Sequence, residues 1–146
     1  MKISIIGAGI GGLTTAIALK QKGFEVEIFE ASKEFKKAGS GINLAINAMQ
    51  VFKRLGIYNK ISALGSYTDS MLITDEKLNT ITKVNLENAE LEHKVKTYAI
   101  HRATLHNILV NELNGVKIHL GKKIKSLKLC LDFSKKTQTR NEKKSI

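Results

Sequence analysis

The 146-residue chain has no proline, no tryptophan and a single cysteine, Cys130. One cysteine excludes an internal disulfide framework and fits a reducing cytoplasm. With no histidine near it in sequence, Cys130 reads as a strand residue rather than a nucleophile. Without proline, no proline-marked linker divides the chain. Aromatic side chains are few and scattered, five Phe and three Tyr. The basic stripe interleaved with aromatics that a nucleic-acid surface needs is therefore missing. No stretch is long and apolar enough to span a membrane. His93, His101, His106 and His119 fall in different segments without ligand spacing, so no metal motif is present. Acids are scarce as well: 13 against 24 basic residues, a net charge of +11. Lys135, Lys136, Arg140, Lys143 and Lys144 lie in residues 134–146, a polar, aperiodic stretch expected to be disordered. The other cations read as a solvated lysine-rich surface, part of it facing an anionic ligand.

What is present is concentrated at the start. Residues 3–6 form a short apolar strand that runs into Gly7-Ala8-Gly9-Ile10-Gly11-Gly12. A helix over residues 13–22 follows, with Leu13, Ala16, Ile17 and Leu19 apolar, Lys20 and Lys22 at its cation-favouring end, and Gly23 as its stop. A second strand, residues 25–29, ends beside Glu30. Glycines after a strand and before a helix, with an acid closing the next strand, make a dinucleotide-binding βαβ start. Gly7 turns the chain off the strand, Gly9 lets backbone approach a pyrophosphate, and Gly12 lets the helix pack close to the strand. Free N–H groups at the helix start suit phosphates. Glu30 would accept hydrogen bonds from ribose hydroxyls and repel a 2′-phosphate, which disfavours NADP here. Two plainer readings are a ligand-free glycine turn and a signal peptide running from Lys2 to Leu19; the matching second strand and the glycines within the apolar run oppose both.

The remainder predicts an α/β domain over residues 1–133. After a polar loop at residues 33–40, Gly39-Ser40-Gly41-Ile42-Asn43-Leu44 leads into a short extended piece. Asn47 can cap a helix over residues 48–55 with Met49, Val51, Phe52 and Leu55 inward, closed by Gly56. A helix over 58–64, a hairpin or meander of 70–74 and 80–84, and an ambiguous polar stretch at 87–96 come next. A strand over 98–101, a helix over 102–113 with Leu105, Ile108, Leu109 and Leu113 on one face, a strand over 116–120 and another through Ile124 to Phe133 complete the pattern. His101 beside Arg102 could line a groove, though a surface position is its default.

The glycine loop with Leu13, Ala16 and Glu30 resembles the FAD-binding start of the glutathione-reductase-like flavoproteins. Gly39-Ser40-Gly41-Ile42 with Leu44 and the helix after it resembles the GAGI segment of the single-component flavoprotein monooxygenases, the para-hydroxybenzoate hydroxylase-like aromatic hydroxylases. His101-Arg102-Ala103-Thr104-Leu105 with Leu109 resembles their R-x-x-L-x-x-x-L helix. The resemblance covers residues 1–133 and implies an incomplete Rossmann-like unit of the glutathione-reductase type. It implies FAD as cofactor and NAD(P)H as co-substrate of the full-length family, used with O₂ to hydroxylate an activated aromatic ring. It assigns cofactor contact to Gly7, Gly9, Ile10, Gly11, Gly12, Glu30, Gly41 and Arg102. It adds a loop cation for which both Lys36 and Lys37 are candidates. A cation opening a helix is electrostatically unfavourable, which points to an anionic partner for Arg102.

Family members are normally more than twice this length. They carry later D-G and G-D motifs, and neither pair occurs here. The resemblance therefore implies a truncated member that is not competent alone and that lacks the strand which in the family lies beside the first. One edge of residues 3–6 would be unpaired and apolar, open to a complementing C-terminal chain. The alternatives are a non-catalytic remnant or partner-dependent half of a split flavoprotein, and a different FAD-dependent oxidoreductase. An NAD-binding Rossmann protein is opposed by the irregular stretch at residues 33–96.

Overall fold

The computed structural model describes residues 1–35 and 39–126. Its elements in chain order are β1 (Lys2–Ile6), α1 (Ile10–Gln21), β2 (Glu25–Phe29), β3 (Gly41–Leu44), α2 (Ile46–Arg54), α3 (Tyr58–Leu64), β4 (Ser66–Tyr67), β5 (Ser70–Thr74), β6 (Thr80–Asn85), α4 (Glu87–His93), β7 (Tyr98–His101), α5 (Arg102–Asn111) and β8 (Lys117–His119).

The opening β1–α1–β2 unit is a parallel pair in register from Lys2↔Glu25 to Ile6↔Phe29. β8 adds in parallel to the other side of β2, giving the order β1-β2-β8. One face of this sheet carries Ile5, Val26, Ile28 and Ile118, which join a core with Leu13, Ala16 and Ile17 of α1 and Leu105, Ile108 and Leu109 of α5. The opposite face is polar. There Glu27 accepts a hydrogen bond from Ser4 Oγ at 2.8 Å and pairs with Lys2 Nζ at 3.1 Å. Phe29 stacks on His119 with ring centroids 4.6 Å apart. Among the described residues β1 pairs with β2 alone, and Ile6 at the end of β1 is 55% exposed.

A second, antiparallel sheet has the order β3-β7-β4. It packs with α2 and α3 through Leu44, Met49, Phe52, Ile57, Ile61 and Ile100. The scattered tyrosines converge at this sheet: Tyr58 and Tyr67 both lie edge-on or tilted to Tyr98, at 6.0 and 6.2 Å. The expected hairpin is β5–β6, turned by Asp75, whose Oδ1 accepts the Lys77 and Asn79 N–H groups. Met71, Leu72, Ile73, Ile81 and Val84 of this hairpin are exposed.

Some expectations need correction. α1 begins three positions before the expected residue 13, because Gly9, extended at φ −73° and ψ 177°, is its N-cap. Asn47 does not cap α2. That helix starts at Ile46 with Ala45 as N-cap, and Asn47 Oδ1 instead accepts the neighbouring Ala48 N–H. Val51 faces outward, 43% exposed, while Met49 and Phe52, three apart on one helix face, are buried. The ambiguous polar stretch contains α4, whose Glu90 is buried at 8% exposure. Glu90 accepts hydrogen bonds from Tyr67 OH at 2.8 Å and Thr97 N at 3.1 Å, and this contact pushes the Tyr67 hydroxyl up to about 12. Ile124 lies in no strand, and the rest of the expected last strand, with Cys130 and the tail, falls outside the described residues.

Candidate functional site

Two glycines in the first loop, Gly7 and Gly12, have a measurable reason. Gly7 adopts φ +96°, a left-handed conformation that favours glycine. A Cβ on Gly12 would sit 2.0 Å from the Gly7 carbonyl oxygen, so this position holds α1 against the loop. Gly9 and Gly11 have nothing within 4 Å of a would-be Cβ, leaving open space at the start of α1. No side chain caps that helix and no acid lies in its first turn, so the N–H groups at Ile10 and Gly11 keep their positive character.

Glu30, just past β2, reaches back to this loop. Its Oε2 accepts the Ala8 N–H at 2.7 Å and its Oε1 accepts the Ser32 N–H at 2.8 Å. The Ser32 and Ala8 amides together hold its carboxyl below the usual glutamate value. Each oxygen keeps a second lone pair for an incoming hydroxyl. From a distant part of the sequence, α5 presents Arg102 as its first residue, again with no acid in the first turn. The Arg102 backbone N–H bonds to the Ser40 carbonyl at 3.2 Å, and a Cβ on Gly39 would press on the Arg102 Cβ at 3.1 Å. Gly41 opens β3 opposite His101, so the GAGI segment and the start of α5 are locked side by side.

These parts meet at one cavity of about 290 Å³, lined by Ala8, Gly9, Glu30 and Arg102 together with Ser32, Glu34, Phe35, Ala103 and His106. Of the expected contacts, Gly9, Glu30 and Arg102 line it. Gly7, Ile10, Gly11, Gly12 and Gly41 are not among the residues that line it. Lys36 and Lys37 lie outside the described residues. His101 does not line this cavity; it is exposed and forms the N-cap of α5. His106 does: its Nε2 lies 2.8 Å from the Ala8 carbonyl oxygen, and its ring meets Phe35 edge-on at 4.7 Å. The one sequence signal for His106 was its place four residues after Arg102, on the same helix face.

The cavity fits part of a dinucleotide. Its volume is at the lower end of ligand pockets, which run to roughly 300–1,000 Å³. It offers a carboxylate for hydroxyls, a guanidinium for an anion, and a helix start that a glycine loop leaves unobstructed. Among the described residues no cluster of His, Cys, Asp and Glu could hold a metal ion, and no helix is long and apolar enough to cross a membrane.

Comparison with known proteins agrees with this geometry. The model of the "FAD binding domain" family matches residues 1–143. The chain is 28% identical over 125 residues to 6-hydroxynicotinate 3-monooxygenase of Bordetella bronchiseptica, covering 84% of this chain and 33% of that enzyme. It is 39% identical over 110 residues to 3-hydroxybenzoate 6-hydroxylase 1 of Aquipseudomonas alcaligenes, covering 74% of this chain and 28% of that protein. In structure it is similar to Klebsiella pneumoniae HpxO complexed with FAD and uric acid. That match has a TM-score of 0.74 and 28% identity over 84% of this chain and 31% of the other. The chain thus spans about a third of the length of the curated relatives it matches.

Proposed function

Because the chain belongs to the FAD-binding domain family, we propose that it is the FAD-holding portion of an NAD(P)H-using monooxygenase acting on aromatic rings, and that by itself it holds flavin loosely and does not catalyse. The observation that carries this reading is the convergence of Gly9, Glu30 and Arg102 on one cavity from three separate parts of the sequence. When bound, FAD supplies the redox chemistry, accepting reducing equivalents from NAD(P)H and reacting with O₂. The residues of this chain bind and orient. Glu30 accepts hydroxyl hydrogens of the adenosine ribose through its free lone pairs. The start of α1 and Arg102 neutralise the pyrophosphate, and Gly9 lets it approach the backbone. Gly7, Ile10, Gly11, Gly12 and Gly41 shape the cradle, and one of Lys36 and Lys37 adds a further cation. The domain is residues 1–133, with residues 134–146 a basic tail, in a reducing cytoplasm.

Partner dependence has its own support. Among the described residues β1 has one strand neighbour, and Ile6 and the β5–β6 hairpin expose apolar side chains. A two-stranded hairpin of that kind is marginal alone. Polypeptide equivalent to the remaining two thirds of the relatives, in the same chain or a separate one, would cover these surfaces and complete the site. Purification of the 146-residue chain tests the proposal. The expected protein elutes colourless from gel filtration and shows weak, saturable binding when titrated with FAD. A stoichiometric, tightly held flavin overturns the claim of looseness; no response to FAD at any concentration overturns the cofactor reading.

A further inference from the structure

His106 lines the cavity and reaches the glycine loop from a segment 98 positions further along the chain. Its Nε2 lies 2.8 Å from the carbonyl oxygen of Ala8. A carbonyl only accepts, so Nε2 carries the proton and donates. The same residue, Ala8, gives its N–H to Glu30 Oε2 at 2.7 Å. Ala8 is therefore gripped on both sides, by the end of β2 through its amide and by α5 through its carbonyl. It is 2% exposed, so neither group has water as a substitute. A trans peptide fixes a carbonyl and the following N–H as one plane. Holding the Ala8 oxygen thus also fixes the Gly9 N–H, in the stretch that leads into the uncapped start of α1. The edge-on contact with Phe35 at 4.7 Å holds the imidazole ring in place for this bond.

We propose that His106 is a positioning residue for the nucleotide loop: it locks the Ala8–Gly9 peptide so that the loop presents its N–H groups to the ligand's phosphates without rearrangement. The ligand half of this proposal rests on the reading that the cavity takes FAD. The loop half does not depend on it.

Three variants separate the hydrogen bond from packing. His106→Phe keeps a ring against Phe35 and removes the donor, His106→Gln keeps a donor and removes the ring, and His106→Ala removes both. Amide hydrogen exchange of the free 146-residue chain, read by NMR, reports the loop through the Ala8 N–H, which stays bonded to Glu30 only while the loop keeps its shape. The Ala8 amide is expected to exchange about tenfold faster in the Ala and Phe variants and close to the wild-type rate in the Gln variant, with the Ile28 amide unchanged in all three. FAD titration of the same proteins is expected to show affinity lowered about tenfold by Ala and Phe and restored by Gln. Unchanged Ala8 exchange in both the Ala and Phe variants overturns the proposal. So does an increase shared equally by Ile28, which marks global opening, or a Gln variant that behaves like Phe. If the wild-type chain does not respond to FAD, the cofactor reading fails, and exchange alone decides whether His106 holds the loop.

Discussion

The carboxylate of Glu30 accepts the backbone N–H of Ala8 at 2.7 Å, tying the end of the second strand to the loop that leaves the first. A second amide, from Ser32, occupies the other oxygen at 2.8 Å. Both bonds need the ionised carboxylate, and together they lower its pKa from the ordinary 4.5. A depressed acid adds stability that is fully present above its unfolded value and disappears as pH falls through the folded one. The Ala8 amide resonance should therefore shift with pH at a midpoint below 4.5, and Glu30→Gln should abolish that shift. NMR titration of the free chain checks this; a midpoint at or above the ordinary value would contradict it.

Two glycines one position apart should respond oppositely to alanine. At Gly12 the new methyl would meet the Gly7 carbonyl oxygen at 2.0 Å, and backbone cannot yield cheaply. Gly12→Ala should cost about 3 kcal/mol or prevent folding. At Gly11 the methyl enters open space on a helix, so Gly11→Ala should leave stability unchanged or raise it by up to about 1 kcal/mol. Urea denaturation of both variants gives the comparison.

Arg102 stands where a helix prefers an acid. Arg102→Glu should raise thermal stability, by about 0.5–1 kcal/mol for reversing one charge in the first turn. The same change should reduce FAD affinity by more than tenfold, since it puts a carboxylate where the pyrophosphate is read to lie. Stability and affinity moving in opposite directions, by calorimetry and fluorescence titration, is the expected result. A loss of both would make Arg102 a structural residue.

Thr97 is buried, and its hydroxyl oxygen finds no hydrogen-bond partner among the described residues, although its backbone N–H bonds to Glu90. Thr97→Val keeps the shape and removes the unsatisfied group, so stability should rise by about 1 kcal/mol. Glu90→Ala should act in the reverse sense. It strands the Thr97 amide and lets the Tyr67 hydroxyl, now held at about 12, return toward an ordinary tyrosine value. Ultraviolet titration of Tyr67 and thermal melts check the pair.

What could be read before the structure was what neighbours in sequence decide. The βαβ start, the hairpin at Asp75 and the inward face of α5 all follow from glycine placement or apolar spacing over a few residues, and they stand as expected. Asn47 misled because an Asx side chain that favours a helix start can serve the next amide just as well from the second helical position. α4 stayed ambiguous because its one buried side chain is a glutamate whose partners, Tyr67 and Thr97, sit on other elements. The candidate site divided the same way. Gly9, Glu30 and Arg102 belong to local motifs. His106 was passed over as a lone histidine because its partner, Ala8, lies 98 positions away.

That separation also bears on how the protein is made. The glycine loop leaves the ribosome first, yet its clamp comes from α5, and β2 waits for β8 to gain its second neighbour. Contacts so distant along the chain form late, after local helices and the hairpin. The nascent loop thus waits for its shape until α5 has emerged. A nascent chain halted before residue 106 would carry the glycine loop without the contact from α5 that holds the Ala8 carbonyl.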